Sequence, residues 1–469
     1  MQIAPQAVVA IHYTLTDQQG VTAANTGDRA PARAALATGL LLGAALTAAP
    51  ATAGTAPATA SATLEIAAAV PRHAHHGLTT ELRLTPELEL DLPAGMRLTA
   101  IGRARADLFD HLEPGTPSQA ATDPIARRQL IGDRTDLELR EFYVEANPGN
   151  LYLRIGKQQI VWGTADGLKA LDVVNPQSFR EFVLADFEDS RIPLWTFDAE
   201  TRLGNTDLQF VLIPEQTYHE IPDRESPFAI TAPRFAPPAP VGIPVQLRDP
   251  DRPSRPLADA DTGLRLARFA GGWDLSLFYF YHFEDIPVPH REIGPDGLVI
   301  TPRYDRAHLL GGTFAKAFGP LTLRGELGYT LGRAHALRDA DEADGVAESD
   351  ALGSVVGLDW MAPGDWFVSA QVFVDRVVDR PGTLYRPTTD TTGTLYLRRL
   401  YRNDTVALEL RWLANANDGD GLIRPRVSYD LSDQVTLWGG VDFFHGDHQG
   451  IFGQFDANDR AVFGVRYGF

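Results

Sequence analysis

The chain has 469 residues and a formal net charge of −19, from 61 acidic against 42 basic side chains, which excludes the basic footprint that a nucleic-acid binder needs. It contains no cysteine, so disulfide frameworks, thiolate metal sites and cysteine nucleophiles are excluded together. Hydrophobic residues make up 44% of the chain, mean hydropathy is slightly negative, and apolar runs of about 20 residues are absent beyond the N-terminal region, which excludes a helical membrane bundle.

Residues 1–28 stand apart as an extension extraneous to the fold. Met1–Val21 (MQIAPQAVVAIHYTLTDQQGV) resembles the first strand of FKBP-type prolyl isomerases of the SlyD kind. No aromatic catalytic pocket or histidine tail of that family follows, so no isomerase activity is expected. Residues 29–53 have the pattern of an export signal. Arg29 and Arg33 supply the positive charge, Ala34–Ala49 is an uncharged Ala/Leu-rich run, and Ala51-Thr52-Ala53 offers small residues for cleavage. Residues 54–469 remain for one folded domain.

From Ser61–Val70 onwards the pattern has period two, as a strand with one apolar and one wet face requires. Leu98, Ala100, Ala104, Ala106 and Leu108 oppose Arg97, Arg103, Arg105 and Asp107. Leu321, Leu323, Leu327 and Tyr329 oppose Thr322, Arg324, Glu326 and Thr330; Val406, Leu408, Leu410 and Trp412 oppose Thr405, Glu409 and Arg411. Val435, Leu437, Val441 and Phe443 oppose Thr436, Trp438 and Asp442. The chain closes on Ala461, Phe463, Val465, Tyr467 and Phe469 in alternation with Gly464, Arg466 and Gly468. A terminal Phe with Tyr two positions earlier resembles the strand that outer-membrane assembly machinery reads, which makes that machinery an expected partner of Tyr467 and Phe469.

Tight turns are expected at 93–95, 147–150, 204–206, 270–272, 318–320, 362–365, 403–404 and 432–433, each carrying the Gly, Pro, Asn or Asp that a reversal needs. Long polar connections lie between them, at 111–135, 163–193, 214–261, 285–304, 334–350, 379–393 and 446–457. Short and long connections alternate as they do at the two rims of a membrane barrel. The fold class is therefore all-β, a transmembrane antiparallel barrel of about 18 strands, with 16 as the alternative count. Apolar residues then face lipid and polar ones a wet lumen. On that assignment the lumen collects Arg97, Arg103, Arg105, Arg154, Arg265, Arg324, Arg411, Arg424, Arg426 and Arg466, with Asp107, Glu326, Glu409 and Asp442 among them. They serve either as a solvated, ion-paired wall or as an arginine-rich path for an anion.

Between the strands near 151–162 and 194–203, Gly156-Lys157-Gln158 leads into Trp162-Gly163 and then Asn175-Pro176. This segment of about 45 residues resembles outer-membrane proteins of domain-of-unknown-function family 1302 and, more loosely, alginate-export barrels. The resemblance implies an outer-membrane channel of unspecified solute. Leu168, Leu171 and Val174, then Phe179, Phe182, Val183 and Phe187, recur at helical spacing, and Pro176 after Asn175 suits the start of a second helix. Helices over 163–193 would form either a latch on the rim or a constriction lined by Arg180, Glu181, Asp186, Glu188, Asp189 and Arg191.

No nucleophile elbow, phosphate loop or cofactor motif is present, and no metal site is expected. His73, His75, His76, His445 and His448 are expected to be solvated, and the acidic run Asp339–Asp350 to be an external loop. The chain is expected in the outer membrane of a Gram-negative bacterium, among lipid, as a non-enzymatic channel for a small or extended, anionic or amphiphilic solute. The alternatives are a structural barrel with a blocked lumen and, third, a barrel hydrolase.

Overall fold

The computed structural model describes residues 58–72, 77–238, 242–295, 297–338, 344–379 and 382–469. The N-terminal extension, the export signal, His73, His75, His76 and residues 339–343 of the acidic run lie outside the described residues.

Period-two segments pair in chain order into one antiparallel sheet. Its barrel strands are β1 (Ala58–Pro71), β2 (Thr79–Leu92), β3 (Met96–Asp107), β4 (Thr135–Ala146), β5 (Leu151–Gln158), β6 (Leu194–Leu203), β7 (Thr206–Ile213), β8 (Asp261–Ala270) and β9 (Trp273–Phe283). They continue as β10 (Arg306–Phe318), β11 (Leu321–Ala336), β12 (Val346–Ala362), β13 (Trp366–Val377), β14 (Thr389–Tyr401), β15 (Val406–Asn415), β16 (Asp420–Ser432), β17 (Val435–His445) and β18 (Arg460–Gly468). The seam joins β18 to β1, with Pro71 opposite Arg460 and Thr63 opposite Gly468. Beyond it the Phe469 N–H donates to the Ala62 carbonyl at 3.0 Å and the Ala62 N–H to the Phe469 carbonyl at 2.8 Å. Closure satisfies the backbone without an open edge, which a hydrocarbon environment demands.

All eight expected tight turns lie on one rim. The opposite rim carries the long connections, together with shorter ones at 72–78 and 416–419. A strand at Gln129–Ile131 extends β4 there, and Val245–Leu247, Val288–Gly294 and Gly297–Arg303 form a separate three-stranded sheet. Among the described residues no helix is long and apolar enough to cross a membrane, which says nothing of a β-barrel.

The two faces invert the polarity of a soluble protein. Leu327 is 55% exposed while Glu326, one residue earlier, is 2% exposed. Leu139, Leu277, Leu310, Val356, Val372 and Phe463 are likewise turned outward and exposed, whereas Arg103, Asp359, Gln371 and Asp442 are buried inside. Covering one such outward Leu or Val with lipid removes an unfavourable exposure of roughly 1.5–3 kcal/mol. Register shifts break the alternation at Thr330/Arg333, at Asp430/Ser432 and in β4, and the one in β4 bears on the lumen. Ile101 pairs with Glu141 but Gly102 with Leu139, so Arg140 is an extra residue in β4.

The helices expected over 163–193 do not form. Among the described residues the α-helix is a single turn, Phe187–Ser190, and Pro176 starts none. Gly167 (φ 81°) and Phe182 (φ 54°) sit in the left-handed region and interrupt any helical run. The helical spacing of the apolar residues instead serves insertion into separate apolar hollows, and the backbone groups a helix would pair internally are taken by barrel side chains.

Candidate lumenal constriction

Residues 159–193 leave β5, run inside the barrel and return to β6. Asn175 is the clasp of this excursion. Its Oδ1 accepts the Ile160 N–H at 2.7 Å, and its Nδ2 donates to the carbonyls of Gln158 (3.3 Å) and Ile192 (2.9 Å). The Pro176 carbonyl accepts the Ile192 N–H at 2.8 Å beside it. The Asn-Pro pair thus joins the two ends of the excursion.

The first half is seated by apolar contact and by polar groups that reach its backbone. Trp162 packs between Phe278 and Phe280, with ring centroids 4.8 and 5.6 Å away, and its indole N–H donates to Gln209 Oε1 at 2.9 Å. Gly263 makes room for that ring and Gly328 for Leu171; a Cβ at either would collide. Ile160, Leu171 and Val174 complete one buried cluster with Val211, Ile213 and Leu309. Past Trp162, the Glu326 carboxylate accepts the N–H groups of Thr164, Ala165 (2.8 Å) and Leu171 (2.8 Å) and the Thr164 hydroxyl (3.1 Å). Arg324 holds Asp166 and the Thr164 carbonyl while pairing with Asp359 at 2.9 Å. Gln371 both donates to the Asp166 carbonyl (3.1 Å) and accepts its N–H (3.2 Å).

The second half is seated mainly by ions. Arg180 lies between Glu81 and Glu113, and Glu181 pairs with Arg460 at 2.6 Å. Phe182 enters an aromatic cluster with Phe452 and Phe455 (5.8 and 4.7 Å), and the Leu184 carbonyl accepts from Arg424 at 2.8 Å. Asp186 faces Arg411 at 3.6 Å, and Asp189 pairs with Arg83 at 2.6 Å. The bulged Arg140 donates to the carbonyls of Glu188, Asp189 (3.2 Å) and Arg191. Burial would raise the Asp189 carboxyl, but Arg83, Arg103 and Arg140 hold it down at about 2. Arg191 pairs with Asp172 at 2.6 Å and so ties this half back to the first. Lys169, 3.2 Å from the Ser190 hydroxyl, adds a second tie, and burial lowers its ammonium to about 7. The Glu188 side chain is exposed.

A third anchor comes from the connection between β7 and β8. His219 Nδ1 accepts the Gln177 N–H at 3.0 Å and lies 3.6 Å from Asp285 Oδ2. Burial, with Lys169 and Arg333 nearby, lowers this imidazole to about 3.

Residues 35–453 match the family model described as "Protein of unknown function (DUF1302)". The chain belongs to this family. No curated protein matches it. Among solved structures it is similar to OccAB2 of Acinetobacter baumannii, at 10% identity and TM-score 0.50 over 88% of this chain and 98% of that one. It is also similar to OccK1 (OpdK) of Pseudomonas aeruginosa, at 13% identity and TM-score 0.49 over 89% and 100%. A BenF-like porin from Pseudomonas fluorescens Pf-5 gives 10% identity and TM-score 0.49 over 89% and 99%. At such identities the likeness is one of fold: this DUF1302 protein has the architecture of an outer-membrane porin barrel.

In this DUF1302 barrel the lumenal arginines are mostly paired. Arg103 meets Glu138 at 2.6 Å and Arg105 meets Asp136 at 3.1 Å. Arg154 meets Glu145 (3.2 Å), Arg466 meets Glu65 (3.5 Å) and Arg97 meets Asp91 (3.2 Å). Arg424, Arg426 and Arg460 converge on the fully buried Asp442 at 3.1, 2.5 and 2.9 Å. Glu409 accepts from the Tyr396 hydroxyl and lies 3.7 Å from Arg398. Among the described residues Arg265 has no carboxylate within 4.0 Å, and Asp107 caps backbone N–H groups of Phe109 and Leu112 instead of pairing with an arginine. Tyr467 and Phe469 lie against each other at the seam, 5.1 Å between centroids. Sequence reasoning missed Arg83, Arg140, Asp359, Gln371 and Arg460, all of which hold the excursion or its supports. Asp359 and Gln371 alternate with apolar neighbours in β12 and β13, a signal that extending the face assignment would have found.

Proposed function

We propose that this protein is a porin-type outer-membrane channel that passes a small solute through a lumen narrowed by residues 159–193. One observation carries the reading: a single excursion inside a barrel with an apolar exterior is fastened to walls on several sides, from β2–β4 through β11–β13 to β15–β18. A segment so placed sets the width and the charge of any path through the lumen. The paired arginines and carboxylates that line the lumen make a charged wall suited to a charged or amphiphilic solute, anions among them. The tight-turn rim, which holds both Ala58 and Phe469, is taken as the periplasmic edge, and β18 as the strand presented to the assembly machinery.

A second reading, a barrel sealed by the same segment, is favoured by the number of its fastenings. Planar-bilayer recording separates the two. The channel gives stable open steps with the full chain and larger ones after deletion of 166–192. A sealed barrel is silent until the deletion. Conductance and solute preference unchanged by the deletion would overturn the constriction.

A further inference from the structure

Among the described residues several outward cations stand without an acceptor, and Arg399 is the one of them held between aromatic rings. Arg399 in β14 is directly opposite Leu408, on the same face as Leu395, Leu397 and Trp412, and both Leu408 and Trp412 are exposed to the outside. It lies two positions from the end of β14, at the tight-turn edge. The guanidinium sits over the Tyr401 ring at 4.5 Å and the Trp366 ring at 5.3 Å. Among the described residues it makes no hydrogen bond or ion pair, and its enclosed Nε has no acceptor. Aromatic faces stabilise a cation but leave the in-plane N–H donors of a guanidinium unused. On this wall no neighbouring carboxylate satisfies them.

Lys316 in β10 is the instructive contrast. It occupies the same edge and the same outward face, with its ammonium 5.0 Å from the Trp273 ring and 5.4 Å from the Phe318 ring. Its ammonium, however, donates to the Gly271 carbonyl at 3.2 Å. The fold supplies an acceptor for one outward cation and none for the other.

We propose that Arg399, flanked by Trp366 and Tyr401, binds the phosphate of a membrane phospholipid at the tight-turn edge of the barrel. The two free oxygens of a phosphodiester match the fork of a guanidinium, which a single carbonyl does not. Aromatic residues at a barrel edge lie at headgroup depth, so the phosphate is at the right height. This inference needs the barrel to lie in a bilayer and is independent of whether it conducts.

Native mass spectrometry of the purified full chain, titrated with phosphatidylglycerol or with diacylglycerol, tests it. The expected result is retained phosphatidylglycerol but not diacylglycerol, with R399Q weakening retention roughly tenfold and K316Q by less. Folding is checked by heat-modifiable gel mobility. Folded R399Q that retains phosphatidylglycerol as the parent does would overturn the proposal, as would equal retention of diacylglycerol. If R399Q does not fold, W366L keeps the charge and removes one flank, and a severalfold loss is expected; unchanged retention by W366L would also overturn it.

Discussion

Residues 159–175 and 176–191 lie in the same lumen but are held by different physics. The first half rests on Trp162, Leu171 and Val174 in an apolar hollow, and Glu326 and Gln371 gather its amides. The second half is strung between arginines on the two sides of the seam, from Arg83 in β2 and Arg140 in β4 to Arg424 in β16 and Arg460 in β18. Apolar seating is insensitive to salt and indifferent to protonation; ion pairs are neither. The first half keeps an ionic share in Glu326 and the Arg324–Asp166 pair, but its apolar seat makes it the less responsive of the two, and the second half is the one that solution conditions tune most.

The strongest way to break this contrast is Asp442→Ala. It leaves Arg424, Arg426 and Arg460 facing one another without their carboxylate, a loss of about 3–5 kcal/mol. Limited proteolysis should then cut near 180–186 while 160–171 stays protected; equal cutting in both halves would dissolve the distinction. Glu326→Ala attacks the other half. Removing the acceptor of three amides costs about 1–3 kcal/mol where an orphaned group stays dry, so protection of 164–171 should fall and single-channel conductance should rise. Glu326→Gln keeps one oxygen and should fall between the two.

Protonation gives a smaller lever. His219 is lowered to about 3 in the fold from an ordinary value near 6.5, so its contribution is complete above about pH 6.5 and is lost as pH falls towards 3. At pH 5 the loss is about 2 kcal/mol. Hydrogen exchange of the Gln177 amide, corrected for its intrinsic pH dependence, should quicken between pH 7 and 5, and His219→Asn should flatten that response. The smallest effect is expected of Asp186→Asn. Its pair with Arg411 is 3.6 Å long and half-exposed, worth less than about 1 kcal/mol, and raising salt from 0.1 to 1 M in the parent should mimic it, since screening shortens to about 3 Å.

Most of the barrel was legible because alternation is a local property that a wide lumen does not override. The face of Arg324, Glu326, Arg411 and Asp442 follows from neighbours one residue away, and each tight turn from its own Gly, Pro, Asn or Asp. What was not legible is long-range. The spacing of Leu168, Leu171 and Val174 suits a helix equally well, and only the carboxylate of Glu326, some 155 residues later, decides that the Leu171 amide bonds elsewhere. Arg140 was lost for a related reason: the bulge that turns it inward is a matter of pairing with Ile101 and Gly102. Asn175-Pro176 was seen as a helix boundary because its true partners, Ile160 and Ile192, are brought together by the fold alone.

The seam between β1 and β18 has a consequence for assembly. Every other pair of barrel strands is contiguous in the chain and can zip as a hairpin, whereas Thr63 meets Gly468 and Ala62 meets Phe469 across nearly the whole domain. Until that meeting, both strands are open borders inviting foreign strands, and the ring has no inside for residues 159–193 to occupy. The second half of the excursion, held from both sides of the seam, therefore can be tightened only by the last act of ring formation, which couples the shape of the aperture to a contact between the first and last strands of the barrel.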